Sequence, residues 1–195
     1  MQGQVARQLS EVVHAHAADL LLLGMREGRI LEDIFIGTHT LQLLKIGEMP
    51  ILIVDGTPHE EDIGALLIPV DRNFGITGSL EFLRELGKPF AKKAQLLVGK
   101  LDQESESSVL AAANVIADAL IEVGIIDISI ELVTEQDVYA GMMERVRRSV
   151  GGFDLVLLEY HDHISRGELT LGSLLEDVVT NGRMPVLCAP SPRKS

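Results

Sequence analysis

Two glycine-containing loops are the first places in this chain where chemistry could occur, because spaced glycines ahead of a helix let main-chain N–H groups approach a phosphate. One loop carries Gly24, Arg26, Gly28, Gly37 and Thr38, with Glu27 between the arginines Arg26 and Arg29 that could offset it. The other keeps Gly172 and Ser173 but has Glu159 and Asp162 upstream. A carboxylate about 4 Å from one phosphate charge costs on the order of 4 kcal/mol at an effective dielectric near 20, almost a thousandfold in affinity. The second loop is therefore expected to be a poor phosphate site.

Other reactive residue types are present without a supporting pattern. The segment Glu159-Tyr160-His161-Asp162-His163 has metal-ligand chemistry but no known ligand spacing, so a solvated loop is expected and no metal. His14 and His16 stand two apart on a helix and point in different directions. The single cysteine, Cys188, lies in an apolar strand, cannot form an internal disulfide and reads as an inert buried thiol suited to the cytosol. No Ser-His-Asp order, paired acid and base, Cys-His pair or Walker lysine has a convincing context, so no catalytic residue is expected.

The elements that must position the two loops are themselves duplicated. Asp19 and Asp154, Gly37 and Gly172, and Pro50 and Pro185 are each 135 residues apart, so residues 19–54 and 154–189 align without a gap. Each copy reads as strand, loop, helix, strand. Leu20 to Leu23 and Leu155 to Leu158 are continuous apolar runs of the kind found in strands buried on both faces. Gly37-Thr38 and Gly172-Ser173 put a hydroxyl at a helix N-cap, and the Met-Pro pairs at 49–50 and 184–185 open a further strand.

This pattern, with its glycine-hydroxyl pair, helix and Pro-Ile-Leu or Pro-Val-Leu strand, resembles the C-terminal half of the universal stress protein domain. Nucleotide-binding members of that family hold ATP phosphates on the glycine loop. The resemblance implies roles for Gly24, Gly37 and Thr38 in the first copy and for Gly172 and Ser173 in the second. It also implies a place near the adenosine half of a ligand for Asp71, which follows the strand-like run Ile63 to Val70. The alternative for Asp71 is a carboxylate capping a turn. The first-copy loop lacks the strands that would build an adenosine pocket, so ATP there needs a partner to complete the site. Otherwise the loop only closes a strand-to-helix turn.

Along the chain, residues 3–17 form a helix with Val5, Leu9 and Val12 or Val13 on one face, and the first repeat copy closes at Val54. Residues 55–62 are turn-rich and acidic, a linker. Strands at 63–70, 94–98 and 127–133 then alternate with helices at 77–92, 104–123 and 135–149 before the second copy. The expected fold is α/β: a complete five-stranded open parallel sheet over residues 63–190, helices on both faces, in the order 3-2-1-4-5 that the resemblance implies, preceded by a partial copy at 1–54 and followed by a tail at 191–195.

In that strand order Leu20 to Leu23 would lie at an uncovered apolar edge, so a second copy of the chain, an exchanged segment or a missing segment should cover it. The family also associates through its fifth strands, so Ile51 to Val54 is expected to meet either the same residues of a partner or Val186 to Ala189 of its own chain. The net charge of −12 argues against a phosphate-backbone binder, so no nucleic acid is expected. No apolar run approaches the roughly 18–20 residues of a membrane span, and no signal peptide opens the chain.

The sequence is thus expected to encode a cytoplasmic, non-catalytic regulatory or stress-response module, dimeric through edge strands, with degenerate nucleotide binding and no obligatory cofactor. Two alternatives stand beside it. One is a cytosolic regulatory domain of a cation or amino-acid transporter, suggested by a start that falls midway through a domain. The other is an ATP-binding stress protein whose site a partner completes, with ATP hydrolysis as its enzymatic extreme.

Overall fold

A computed structural model of the chain describes residues 2–24, 49–54, 63–70, 76–86, 91–134, 137–149, 151–160 and 184–191. Its elements run α1 (Gln2–Ala15), β1 (Leu21–Gly24), β2 (Ile51–Val54), β3 (Ala65–Val70), α2 (Thr77–Glu85), β4 (Lys93–Gly99), α3 (Glu106–Glu122), β5 (Asp127–Val133), α4 (Val138–Arg148), β6 (Leu155–Tyr160) and β7 (Val186–Pro190). The expected elements that fall on described residues are present, with ends displaced by up to about three residues, except that the helix expected over 77–92 ends at Glu85 and residues 91–92 are not helical. The helices expected after Gly37 and Gly172, and the linker at 55–62, lie outside the described residues.

The strands form one sheet in the order β1-β2-β7-β6-β3-β4-β5. From β5 to β7 every pairing is parallel, which is the expected five-strand order 3-2-1-4-5. Among the described residues the sheet has seven strands and is mixed, because β2 joins β7 antiparallel. Of the two pairings expected for Ile51 to Val54, the structure shows the one with Val186 to Ala189 of the same chain, with Ile51 opposite Cys188, Leu52 opposite Leu187 and Ile53 opposite Val186.

This register relates the two repeat copies by an internal two-fold. Leu52 and Leu187 are equivalent repeat positions and face each other, while Ile51 and Ile53 each face the equivalent of the other. The pairing inside each copy is also reproduced: Leu21 opposite Ile51 corresponds to Val156 opposite Val186, and Gly24 opposite Val54 corresponds to Glu159 opposite Ala189. Even the hydrogen bond that opens the ladder recurs, from Leu21 N–H to the Pro50 carbonyl at 3.0 Å and from Val156 N–H to the Pro185 carbonyl at 2.9 Å.

The copies differ in what lies beyond. β6 has β3 as its other neighbour, and the Asp154 carboxylate accepts the N–H groups of Gly64 and Ala65 at 2.9 Å each, tying down the start of β3. Its counterpart Asp19 is exposed, and β1 ends the sheet. Leu22 there is 60% exposed.

Side chains alternate along each strand into two cores, as a period of two requires. On one face Leu67, Leu97, Val156, Leu158 and Val186 pack with Val138, Met142, Met143 and Val146 of α4. Ile51 and Ile53 enter this same core, and Leu9, Leu21 and Leu23 lie against it, so the partial copy is part of one packed body. Of the face expected on the first helix, Leu9 packs inward whereas Val12 is exposed. On the other face Leu66, Ile68, Leu96, Leu155 and Leu157 pack with Leu80, Phe82 and Leu83 of α2 and with Val109, Ala113 and Leu120 of α3.

Helix ends follow local sequence in two cases. Ser105 caps α3 through the Ser108 N–H, and Asp137 caps α4 through the Ala140 N–H. α3 closes on Gly124 at φ 93°, with Gly124 N–H on the Ile121 carbonyl and Ile125 N–H on the Leu120 carbonyl, a left-handed stop that glycine allows without strain. α2 differs, since Ile76 at its N-cap supplies no side-chain acceptor. Among the described residues no helix is long and apolar enough to cross a membrane.

Candidate functional site

In an open α/β sheet the crevice for a ligand lies beyond the carboxyl ends of the strands, where the chain leaves two adjacent strands in opposite directions. Here that place is between β3 and β6: β3 leads to β4 on one side, and β6 leads to β7 on the other. Glu159 stands near the carboxyl end of β6, and α2 begins beyond the carboxyl end of β3.

Glu159 shares the strand parity of Leu155 and Leu157, which puts its side chain on the α2 face of the sheet. There it is 5% exposed, and its carboxylate accepts the Ser79 N–H at 3.0 Å. Ser79 is the third residue of α2, so this carboxylate from a distant strand supplies the cap that Ile76 lacks. The Ser79 hydroxyl is fully buried beside the carboxylate but is not aligned for a hydrogen bond of ordinary geometry with any described residue.

Burial dominates the acidity of this group. Desolvation raises the Glu159 pKa from 4.5 to about 7, against the opposing pull of the Ser79 N–H and hydroxyl, the Gly78 N–H and the Ser191 side chain. Cys188, on the neighbouring strand, is wholly buried, and burial together with the Glu159 charge pushes its thiol well above the ordinary range. It is the inert thiol that its apolar strand implied.

Glu159 was expected to act as a loop acid facing a phosphate, but it belongs to a strand and points into the fold. One feature of the sequence carried that signal, its parity with Leu155 and Leu157; the uncapped start of α2 did not, because Thr77 stands where a cap would be read. Its repeat equivalent Gly24 closes β1, exposed, and an added Cβ there would meet nothing within 4 Å. Arg26, Gly28, Gly37, Thr38, Asp71, Gly172 and Ser173 lie outside the described residues, as do Glu27, Asp162, His161 and His163. Among the described residues no cluster of three or more His, Cys, Asp or Glu could hold a metal ion.

The described constellation can hold a negative charge or a proton at a helix N-terminus. It has two main-chain donors, two serine side chains and one acid whose two protonation states are close in energy near neutrality.

No family model and no curated protein matches the sequence. Solved structures do match. A universal stress protein from Archaeoglobus fulgidus DSM 4304 superposes with a TM-score of 0.63 at 14% identity, covering 95% of this chain and 66% of that one. A protein of unknown function from Pseudomonas aeruginosa PAO1 gives 0.56 at 14% identity, covering 95% of this chain and 67% of the other. A candidate universal stress protein from Pseudomonas aeruginosa UCBPP-PA14 gives 0.56 at 16%, with 93% and 66% covered. The chain thus spans about two thirds of the length of the structures it matches. At these identities the likeness is one of architecture, and the chain has a universal stress protein-like α/β fold.

Proposed function

We propose that this protein is a universal stress protein-like regulatory module that is not catalytic, acts through self-association, and binds adenine nucleotides weakly or not at all. The observation that carries the association is the sheet margin at β1. This strand reads Leu-Leu-Leu-Gly, with neither charge nor proline to blunt it, and Leu22 is 60% exposed there. A second copy is the occupant proposed for this margin, pairing β1 with β1. Antiparallel pairing of repeat-related strands already joins β2 to β7 within the chain. Weak nucleotide binding follows from Glu159, whose carboxylate lies where the crevice meets a helix N-terminus.

Two measurements on the full chain test this. Sedimentation or light scattering over a range of concentrations should show a dimer, and Leu22→Lys should shift it to monomer without lowering the thermal midpoint appreciably. A wild-type monomer at high concentration would end the association. Calorimetry should show no micromolar ATP binding, and a micromolar constant would refute the nucleotide part.

A further inference from the structure

One face of the sheet is covered over the complete copy and bare over the partial one. In the complete copy α2 lies across β6 and β7, and its Leu80 and Leu83 pack with Leu155, Leu157 and Leu187, none of them more than 1% exposed. The repeat equivalents of those three residues are Leu20, Leu22 and Leu52. Leu22 pairs with Leu52 in the ladder, and Leu52 packs against the core that holds Leu187, so both side chains are on the α2 face, while Leu21 and Leu23 take the other core. Yet Leu20 is 37% and Leu22 60% exposed, and Leu52 is only half-buried. The helices described on this face, α2 and α3, lie over β6 and β7 and over β4. A seat over β1 and β2 is two strands across from that of α2, about 10 Å at the usual strand spacing. That is the separation at which helices pack side by side, so a helix laid there would continue the layer that α2 begins. Three leucines fall far short of the roughly 800 Å² per partner that a stable dimer needs, so the fit is to a helix and not to a second sheet. Gly24 stands where Glu159 caps α2, so the incoming helix must bring its own cap.

We propose that the bare face of Leu20, Leu22 and Leu52 docks one amphipathic helix of a protein partner, with apolar residues at i, i+4 and i+7 like Ile76, Leu80 and Leu83 and with a Ser, Thr, Asp or Asn cap of its own. This goes beyond self-association at the β1 margin. Strand pairing there uses the main chain of the edge, whereas the helix lies on side chains and reaches Leu52, one strand in.

The probe is a dye-labelled peptide of residues 76–86, the α2 segment itself, acetylated to remove the charge that opposes a helix N-terminus. It is titrated with the full chain and read by fluorescence anisotropy. Binding should saturate with a dissociation constant below about 1 mM, and Leu22→Lys and Leu52→Ala should each weaken it about tenfold. Val115→Lys, at a position of α3 as exposed as Leu22, should leave it unchanged. A peptide carrying Leu80→Lys and Leu83→Lys should not bind. Should Leu52→Ala not fold, Leu20→Lys takes its place in the comparison. No saturable binding up to about 1 mM overturns the proposal, as does binding that Leu22→Lys and Leu52→Ala leave unchanged. A dimer that Leu52→Ala dissociates also overturns it, because a second copy would then cover the face. A wild-type monomer that binds the peptide supports the docked helix and refutes the pairing of β1 with β1, so the two readings fail separately.

Discussion

Glu159→Gln should remove a dependence of stability on pH that the wild-type fold carries. The native carboxyl has a pKa of about 7 against 4.5 in the ordinary state, because burial disfavours its charge. Between those values the native chain keeps a proton that the unfolded chain has lost. Raising the pH therefore favours unfolding across that window. The displacement corresponds to about 3 kcal/mol, lost progressively from about pH 4.5 to about pH 7 and fully absent above it. Glutamine imitates the protonated acid: its carbonyl can accept the Ser79 N–H, and its amide can donate to the Ser79 hydroxyl beside it. Urea denaturation of both proteins from pH 5 to pH 8 gives the assay, since subtracting one curve from the other cancels groups common to both. The variant should exceed the wild type by about 1 kcal/mol near pH 5 and by about 3 kcal/mol at pH 8. A difference that stays flat across the range, or a wild type that is the more stable at pH 8, would refute the account of Glu159 as a buried acid held at a cost.

Gly99→Ala should destabilise the fold by about 1–3 kcal/mol in urea, because an added Cβ would come within 2.5 Å of Val138 Cγ1 and 3.1 Å of Met142 Cε. Valine is stiff at this position of the helix, so Val138→Ala in the same chain should recover part of the loss. Ile53→Ala should cost about 2–5 kcal/mol and shift a single unfolding transition, since Ile53 lies in the core that α4 and β7 share. Two transitions, only one of them moved, would show that residues 1–54 fold apart. Asp154→Asn should cost about 1 kcal/mol through the Gly64 and Ala65 N–H groups, whereas Asp19→Asn, at the equivalent repeat position, should stay within about 0.5 kcal/mol.

Much of the architecture was legible because its signals are local or repeated. Apolar runs such as Leu155 to Leu158 declare buried strands, and the constant offset between Asp19 and Asp154 declares a duplicated unit. The family resemblance then implied the five-strand order, and the meeting of Ile51 to Val54 with Val186 to Ala189 as one of two pairings. The site was less legible. Glu159 was visible as an acid in place of the glycine its sister copy keeps, but its partner is Ser79, 80 residues earlier in the chain. A helix that lacks its own cap shows only that some acceptor is needed. It does not name the strand that brings one.

The sequence by itself determined the alternation of strands and helices and the two-sided cores, because these depend on periodicity along the chain. The tertiary structure decided that β1 and β2 join the five parallel strands in one sheet, and that the Glu159 carboxylate lies inward at the start of α2. Both depend on which surfaces meet. β2 and β7 could have paired within the chain or between chains, and a carboxylate at a strand end faces water or a helix N-terminus according to what packs above it. The same residue type at the same repeat position can thus differ in charge and role once its neighbours differ.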